Sequence, residues 1–324
     1  MISGASTGRE YDLVKMTLPS ILLMALILLC TGCMHGRLLV CVEQPFWATL
    51  GEDLPTRVAI AKEALLKGFV PEFRLIAPQE NPLEALKTAL SARRFAAVIV
   101  GPLLSFQAGA VAVQHPSVDF ILLEAAPLED ALANTIQLVF DRSDAFRATG
   151  RIAGLSLRQA ARSSSAEQAA SLASRIGILM PASRRAGDRG IDAFQSGLAE
   201  SLGEGLPLVV RIDDPIDQEK VKKAVSEMRS QGVEIVFSRL SGFDPYCLVA
   251  LKESGGSAIV SDWEASQAFP GQVFLSVEDD ILAGMALCLD AIGGTAAVVR
   301  GPVRIVCGKA RSLPKESKDE VDCR

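Results

Sequence analysis

The chain has 324 residues, with 33 Lys and Arg against 38 Asp and Glu and a formal net charge of −5. At 49% hydrophobic and 22% charged residues it is excluded from the disordered class, and its length predicts two domains. The mild acidity supplies no field that would draw nucleic acid, and with His35 and His115 as the only histidines, His-rich metal centres and most His-based triads lack their parts.

The first feature in chain order is LPSILLMALILLC, Leu18 to Cys30. A bilayer span needs about 20 apolar residues. This shorter run therefore reads as the core of a signal peptide covering residues 1–32, with Arg9 and Lys15 as a weak positive flank. The following Thr31-Gly32-Cys33 resembles the lipobox of bacterial lipoproteins. That resemblance implies a diacylated Cys33 and a mature protein held on the periplasmic or extracellular face of the cell membrane.

From Leu38 onward, apolar β-branched runs at 38–42, 72–77, 96–101 and 118–124 alternate with helical stretches near 53–68, 82–92 and 105–114. A second series follows a polar Ala/Ser-rich stretch, with strands at 175–181, 206–212, 234–239 and 257–263 separated by helices. Continuous apolar strands alternating with helices predict parallel sheets covered on both faces. Strand-like segments at 135–141, 273–279 and 302–308 supply the passages between the two series. The predicted fold class is α/β: a two-lobed fold of parallel sheets flanked by helices, with three hinge crossovers. One lobe comprises 33–140 and 280–301, the other 141–273 and 303–312. The charged residues 313–324 are expected to form a flexible tail. Cys41, Cys247, Cys288, Cys307 and Cys323 remain besides the anchor, an odd set without C-x-x-C spacing. It implies no disulfide framework, and Cys41, Cys288 and Cys307 are read as buried thiols.

Three stretches carry a resemblance to a known family. They are VIVGPLLSFQAGAVAVQHPSVDFILLE (98–124), FDRSDAFRATGRIAGLSLRQ (140–159) and RIGILMPASRRAGDRGIDAFQSGLAE (175–200), with Gly150, Ala153, Gly154, Phe194 and Gly197 at the positions that match best. The chain resembles the basic membrane lipoprotein family, the purine-nucleoside-receptor-like substrate-binding proteins of ABC transporters. The resemblance implies a type I periplasmic-binding fold, a small polar solute in an interlobe cleft (nucleoside first, sugar second), an ABC permease as partner, and no cofactor. The chain departs from the family at Gln44-Pro45-Phe46-Trp47, at Ser261-Asp262-Trp263-Glu264, and after Ser276, where Val277-Glu278-Asp279 stands in place of a lysine. An acceptor at Asp279 in place of that donor predicts a solute richer in donors than a purine nucleoside.

In open parallel sheets the ligand lies outside the carboxyl ends of the strands, which selects the candidates. Phe46 and Trp47 follow the first strand and offer stacking faces, or else pack the next helix. Glu124 and Asp141 offer acceptors for hydroxyls, and Arg142 a planar donor fork, or else a hinge ion pair with Asp141 or Asp144. Asp262 matches the aspartate to which the family resemblance assigns ribose hydroxyls, with Trp263 beside it, and Arg239 ends a neighbouring strand. Arg184, Arg185 and Arg189 lie among glycines without G-x-G-x-x-G and read as a solvated loop. The acids Glu124, Asp141 and Asp262 leave a glycosidase open at no defined separation. The expectation is a binder with no catalytic residue, and the alternative is a sensor or surface interaction module on the same fold.

Overall fold

The computed structural model describes residues 36–123, 132–162, 166–182, 188–203, 205–240, 243–261, 265–266, 268–294 and 297–321. Cys33 and the leader lie outside them. The chain divides into two compact units, one of residues 1–140 and 281–301, the other of residues 141–280 and 302–324. It passes from one to the other after Phe140, Asp280 and Gly301.

The first unit begins with β1 (Gly36–Glu43), β2 (Phe69–Ile76), β3 (Ala97–Val100), β4 (Asp119–Leu123) and β5 (Thr135–Val139). The second contains β6 (Ile176–Pro181), β7 (Leu208–Ile212), β8 (Ile235–Ser238), β9 (Ser257–Ser261) and β10 (Val273–Asp279). Then β11 (Ala297–Arg300) completes the first sheet in the order β11-β5-β4-β3-β1-β2, and β12 (Val303–Cys307) the second in the order β12-β10-β9-β8-β6-β7. Every pairing is parallel except β10 with β12. This is the α/β class that the alternating apolar runs predict. The 273–279 segment, read from sequence as a later strand at a crossing between lobes, ends just before the chain passes to the first unit at Asp280, and it is an internal strand of the second sheet, flanked by β9 and β12. Its apolar run follows from that position, because an internal strand is covered on both faces.

Period-two alternation assigns each strand's side chains to opposite faces of the sheet. In β1, Leu38, Val40 and Val42 enter one core, which includes Trp47, Ile60 and Met285, while Leu39 and Cys41 enter another with Leu86, Leu104 and Val111. In the second unit Ile235 and Phe237 face the core holding Phe146 and Phe194, and Val236 faces the one holding Val225 and Leu248. Short side chains start the helices that cover these faces. Asn81, Asp188 and Asp217 each accept from two backbone N–H groups at the starts of the helices Pro82–Ala92, Arg189–Leu202 and Gln218–Ser230.

The glycines singled out by the family resemblance have a packing reason. The helices Ser143–Ala161 and Arg189–Leu202 approach so closely that a Cβ on Gly150 would stand 2.1 Å from the Phe194 carbonyl oxygen, and one on Gly154 would stand 2.0 Å from Ser201 Oγ.

Two expectations for the C-terminal region are corrected. The segment anticipated as a flexible tail from 313 is instead laid on the second unit: Lys315–Glu320 is a 3₁₀ helix, Ser317 and Val321 are buried, and Leu313 packs on the same core as Ile305. Lys315 and Glu316 are exposed while Leu313 and Val321 pack on the core, a pattern too sparse for composition to reveal. Cys307 is not a free thiol but disulfide-bonded, its partner sulfur lying outside the described residues. Sequence spacing does not encode such a pairing.

Candidate ligand-binding site

At the carboxyl edge of the second sheet, Arg239 directly follows β8, and its backbone N–H extends the ladder to the Leu179 carbonyl at 2.8 Å. The residue is 6% exposed. Its guanidinium lies 4.5 Å from the centroid of Phe146 and 5.7 Å from that of Phe237, and Phe194 stacks on Phe237 at 4.3 Å. Nη1 donates to Ser261 Oγ at 2.9 Å, and Nη2 is 3.8 Å from Asp188 Oδ2. Ring faces, a hydroxyl at the adjacent strand end and a carboxylate at a helix cap thus set the direction of one planar donor fork. The turn that presents it is held by Asp244, a fully buried carboxylate whose Oδ1 accepts from Ser238 Oγ at 2.5 Å and from the Leu240 N–H at 3.1 Å.

A second buried carboxylate organises the first sheet's edge. Glu43 ends β1 and is 3% exposed, and its Oε1 accepts from the Leu104 N–H at 2.9 Å. That amide belongs to the first turn of the helix Pro102–Gln114, so the carboxylate sits at the positive end of the helix dipole. Gly101 is required there, because a Cβ would fall 1.9 Å from Glu43 Oε2. The protein fills this helix start with its own anion. Glu43→Ala is expected to lower stability by about 2 kcal/mol, with Glu43→Gln, which keeps an acceptor, losing less; urea unfolding measures both.

The structure separates the sequence candidates. Arg239 stands at a strand end with polar and aromatic neighbours. Trp47 does not offer a stacking face: it is 4% exposed, its Nε1 donates to Asp53 Oδ1 at 2.9 Å, Phe73 meets it edge to face at 5.7 Å, and the Arg57 guanidinium covers it at 5.4 Å. Burying a large ring beside β2 outweighs presenting it to solvent. Phe46 is half-buried against the same core. Asp141 is exposed and accepts from the Ser143 N–H at 3.0 Å, which starts a helix. Arg142 forms an ion pair with Asp279: Nε donates to Oδ1 at 2.8 Å and Nη2 to Oδ2. Asp279 is thereby engaged by a fork, which removes the basis for reading it as a ligand acceptor. Glu124, Asp262 and Trp263 lie outside the described residues. Sequence reasoning missed Glu43, Asp244, Asp188 and Phe146. Only Asp188 carried a signal, as a cap residue before a helix.

No group of three His, Cys, Asp or Glu that could hold a metal occurs among the described residues. The thiols are inert by burial. Desolvation pushes Cys41 and Cys288 up to about 12, and pushes Cys247 up with help from the nearby Asp244 charge. Since the folded values lie above the unfolded ones, the stability these thiols contribute is fully present below about pH 8.5 and is lost as pH rises toward 12. Iodoacetamide at pH 8 is expected to leave all three unlabelled in the native protein and to label them in guanidinium, as read by peptide mass spectrometry.

No family model matches the sequence, and no curated protein does. Solved structures do. An ABC transporter solute-binding protein from Conexibacter woesei aligns over 87% of this chain and 92% of its own, with 16% identity and a TM-score of 0.64. A transcriptional activator of the comK gene from Bacillus halodurans aligns over 88% and 93%, with 13% identity and a TM-score of 0.63. A periplasmic ribose ABC transporter protein from Conexibacter woesei aligns over 89% and 94%, with 13% identity and a TM-score of 0.55. The chain has the type I periplasmic-binding-protein fold. At these identities the likeness is one of architecture, and the basic membrane lipoprotein family stands as a resemblance. In this fold the strand ends that carry Arg239 and Ser261 lie at the edge where α/β sheets bind ligands.

Proposed function

We propose that this chain is a solute-binding protein that takes a small hydroxyl-rich molecule, sugar ahead of nucleoside, and serves an ABC-type permease from a lipid anchor at Cys33 on the outer face of the cell membrane. The observation that carries the reading is the buried, oriented Arg239 fork beside Ser261 at the carboxyl edge of the second sheet. A planar fork suits a hydroxyl pair or a ring oxygen, and a few placed polar groups on an otherwise apolar wall are what small-molecule sites use. Proteins of the same fold include a periplasmic ribose ABC transporter protein and an ABC transporter solute-binding protein with bound glycerol, which favours polyols. The burial of Trp47 removes a platform for a nucleobase. The disulfide at Cys307 fits an oxidising compartment outside the cytosol.

Thermal-shift screening of monosaccharides, polyols and nucleosides, followed by calorimetry of the best solute, tests the reading. Arg239→Ala is expected to weaken that solute tenfold to a hundredfold, the effect of losing a charge-assisted hydrogen bond of about 1.5–3 kcal/mol. Arg239→Lys keeps the charge without the fork and is expected to recover little of it. No binding across the panel, with the protein folded, overturns the solute-binding reading. Detergent partitioning of Cys33→Ser tests the anchor: a variant still processed and lipid-bound refutes it.

A second reading, a sensor or interaction module on the same fold, draws support from the transcriptional activator and Lac repressor among the similar structures. Unchanged uptake of the bound solute in a deletion strain selects it.

A further inference from the structure

Away from the strand-end edges, the second unit carries a cavity of about 470 Å³ lined by Leu155, Arg158, Gln159, Arg162, Lys315 and Glu316. Three of these six are cations and one is an acid. Arg158 lies in the last turn of the helix Ser143–Ala161 and Arg162 is its C-cap, and both line the cavity. Arg158 is fixed from behind, Nη1 donating to the Ser201 carbonyl at 3.1 Å. Lys315 comes from the far end of the chain, at the start of the 3₁₀ helix that buried Ser317 and Val321 hold in place.

Several arginines of this unit pair with acids, Arg142 with Asp279, Arg147 with Glu200, Arg175 and Arg311 with Glu234, and Arg304 with Asp280, while Arg229, among the described residues, donates only to backbone carbonyls. Among the described residues Arg158, Arg162 and Lys315 have no such partner. Like charges one helical turn apart repel, and the negative end of the helix dipole offsets only part of that. The backbone adds a second sign. Arg162 has φ +50°, the one left-handed non-glycine among the described residues, at a helix-end position that glycine ordinarily fills. An arginine kept where glycine fits better points to a use for its side chain.

We propose that this cavity binds a phosphate group, carried either by a phosphorylated small molecule or by an anionic phospholipid headgroup. Two guanidinium forks and an ammonium match a phosphomonoester best, with its three anionic oxygens and nearly two charges; a phosphodiester headgroup, like a carboxylate, offers two free oxygens and one charge, and is the weaker of the two sources. Leu155 and Gln159 give the organic portion an apolar wall and an amide. The site is separate from the Arg239 edge, so it stands or falls independently of the solute-binding reading.

Calorimetry of the full chain at constant ionic strength, with inorganic phosphate, glycerol 3-phosphate and monomeric dihexanoylphosphatidylglycerol as probes, tests it. Saturable binding of at least one probe is expected, and which of the two organic probes binds more tightly distinguishes the phosphomonoester from the headgroup. Arg162→Gly relieves the left-handed strain while deleting the charge. It is expected to fold at least as stably as the natural chain and to bind the probes at least tenfold more weakly, and Lys315→Gln is expected to weaken them in the same direction. Absence of saturable binding by all three probes, or an Arg162→Gly protein that binds them as the natural chain does, overturns the assignment.

Discussion

Replacing Arg142 by alanine is expected to destabilise the protein by about 3 kcal/mol, the scale for breaking a buried ion pair from one side. The cost comes from what is left behind. The Asp279 side chain is only 4% exposed and loses both hydrogen bonds of the fork, whereas Arg142, at 26%, already meets water and gives up less by its own removal. The pair joins residues 137 apart in sequence, one just after the first passage between units and one just before the second. Removing both partners with Arg142→Ala/Asp279→Ala is expected to restore part of the loss, because no buried charge is then stranded. Urea unfolding of the two single variants and the double variant gives the coupling. A single variant within 0.5 kcal/mol of the natural chain would show that this pair is solvated in solution.

Gly197→Ala is expected to cost about 2–3 kcal/mol. The added methyl would stand 1.7 Å from the Arg147 carbonyl oxygen and 2.6 Å from its carbon, backbone atoms that no rotamer change moves aside. The helices must separate instead, which loosens Phe194 and Leu198 in the core they share. Alanine's better helix propensity, about 1 kcal/mol, offsets part of the overpacking. Gly109, inside the helix Pro102–Gln114 with nothing within 4 Å of its absent Cβ, is the internal control. Gly109→Ala is expected to be neutral or to stabilise by up to about 1 kcal/mol. If both alanines shift the urea midpoint alike, close helix approach is not what Gly197 provides.

Much of the architecture is a local property of the chain. The apolar runs of β1, β3, β6, β8 and β9 and the cap residues Asn81, Asp188 and Asp217 mark strands and helix starts without reference to anything distant. Strands covered on both faces must be apolar throughout, and strands alternating with helices must run parallel, so the α/β class follows from pattern alone. The glycine-rich helix matched by family resemblance proved to be a packing device whose partner is the helix 189–202.

The candidate site was legible only in outline, because strand order tells which residues follow strands but not which way they turn. Phe46 and Trp47 share one short helix, yet Trp47 is drawn inward by Phe73, Asp53 and Arg57, each supplied by an element the tryptophan cannot foretell. Arg142 has two acids within two residues, and nothing near it in sequence foretells Asp279, 137 residues away, which meets its fork with both carboxylate oxygens. Buried Glu43 and Asp244 look like surface acids in sequence, and become structural where a helix start or a turn offers N–H groups that must be satisfied out of water. The sequence alone determined the alternation of strands and helices and the two-unit division, and it showed which residues follow the strands. Which side chains reach the carboxyl edges of the sheets was decided by tertiary packing, since burial and hydrogen-bond satisfaction depend on neighbours that are adjacent in space and far apart along the chain.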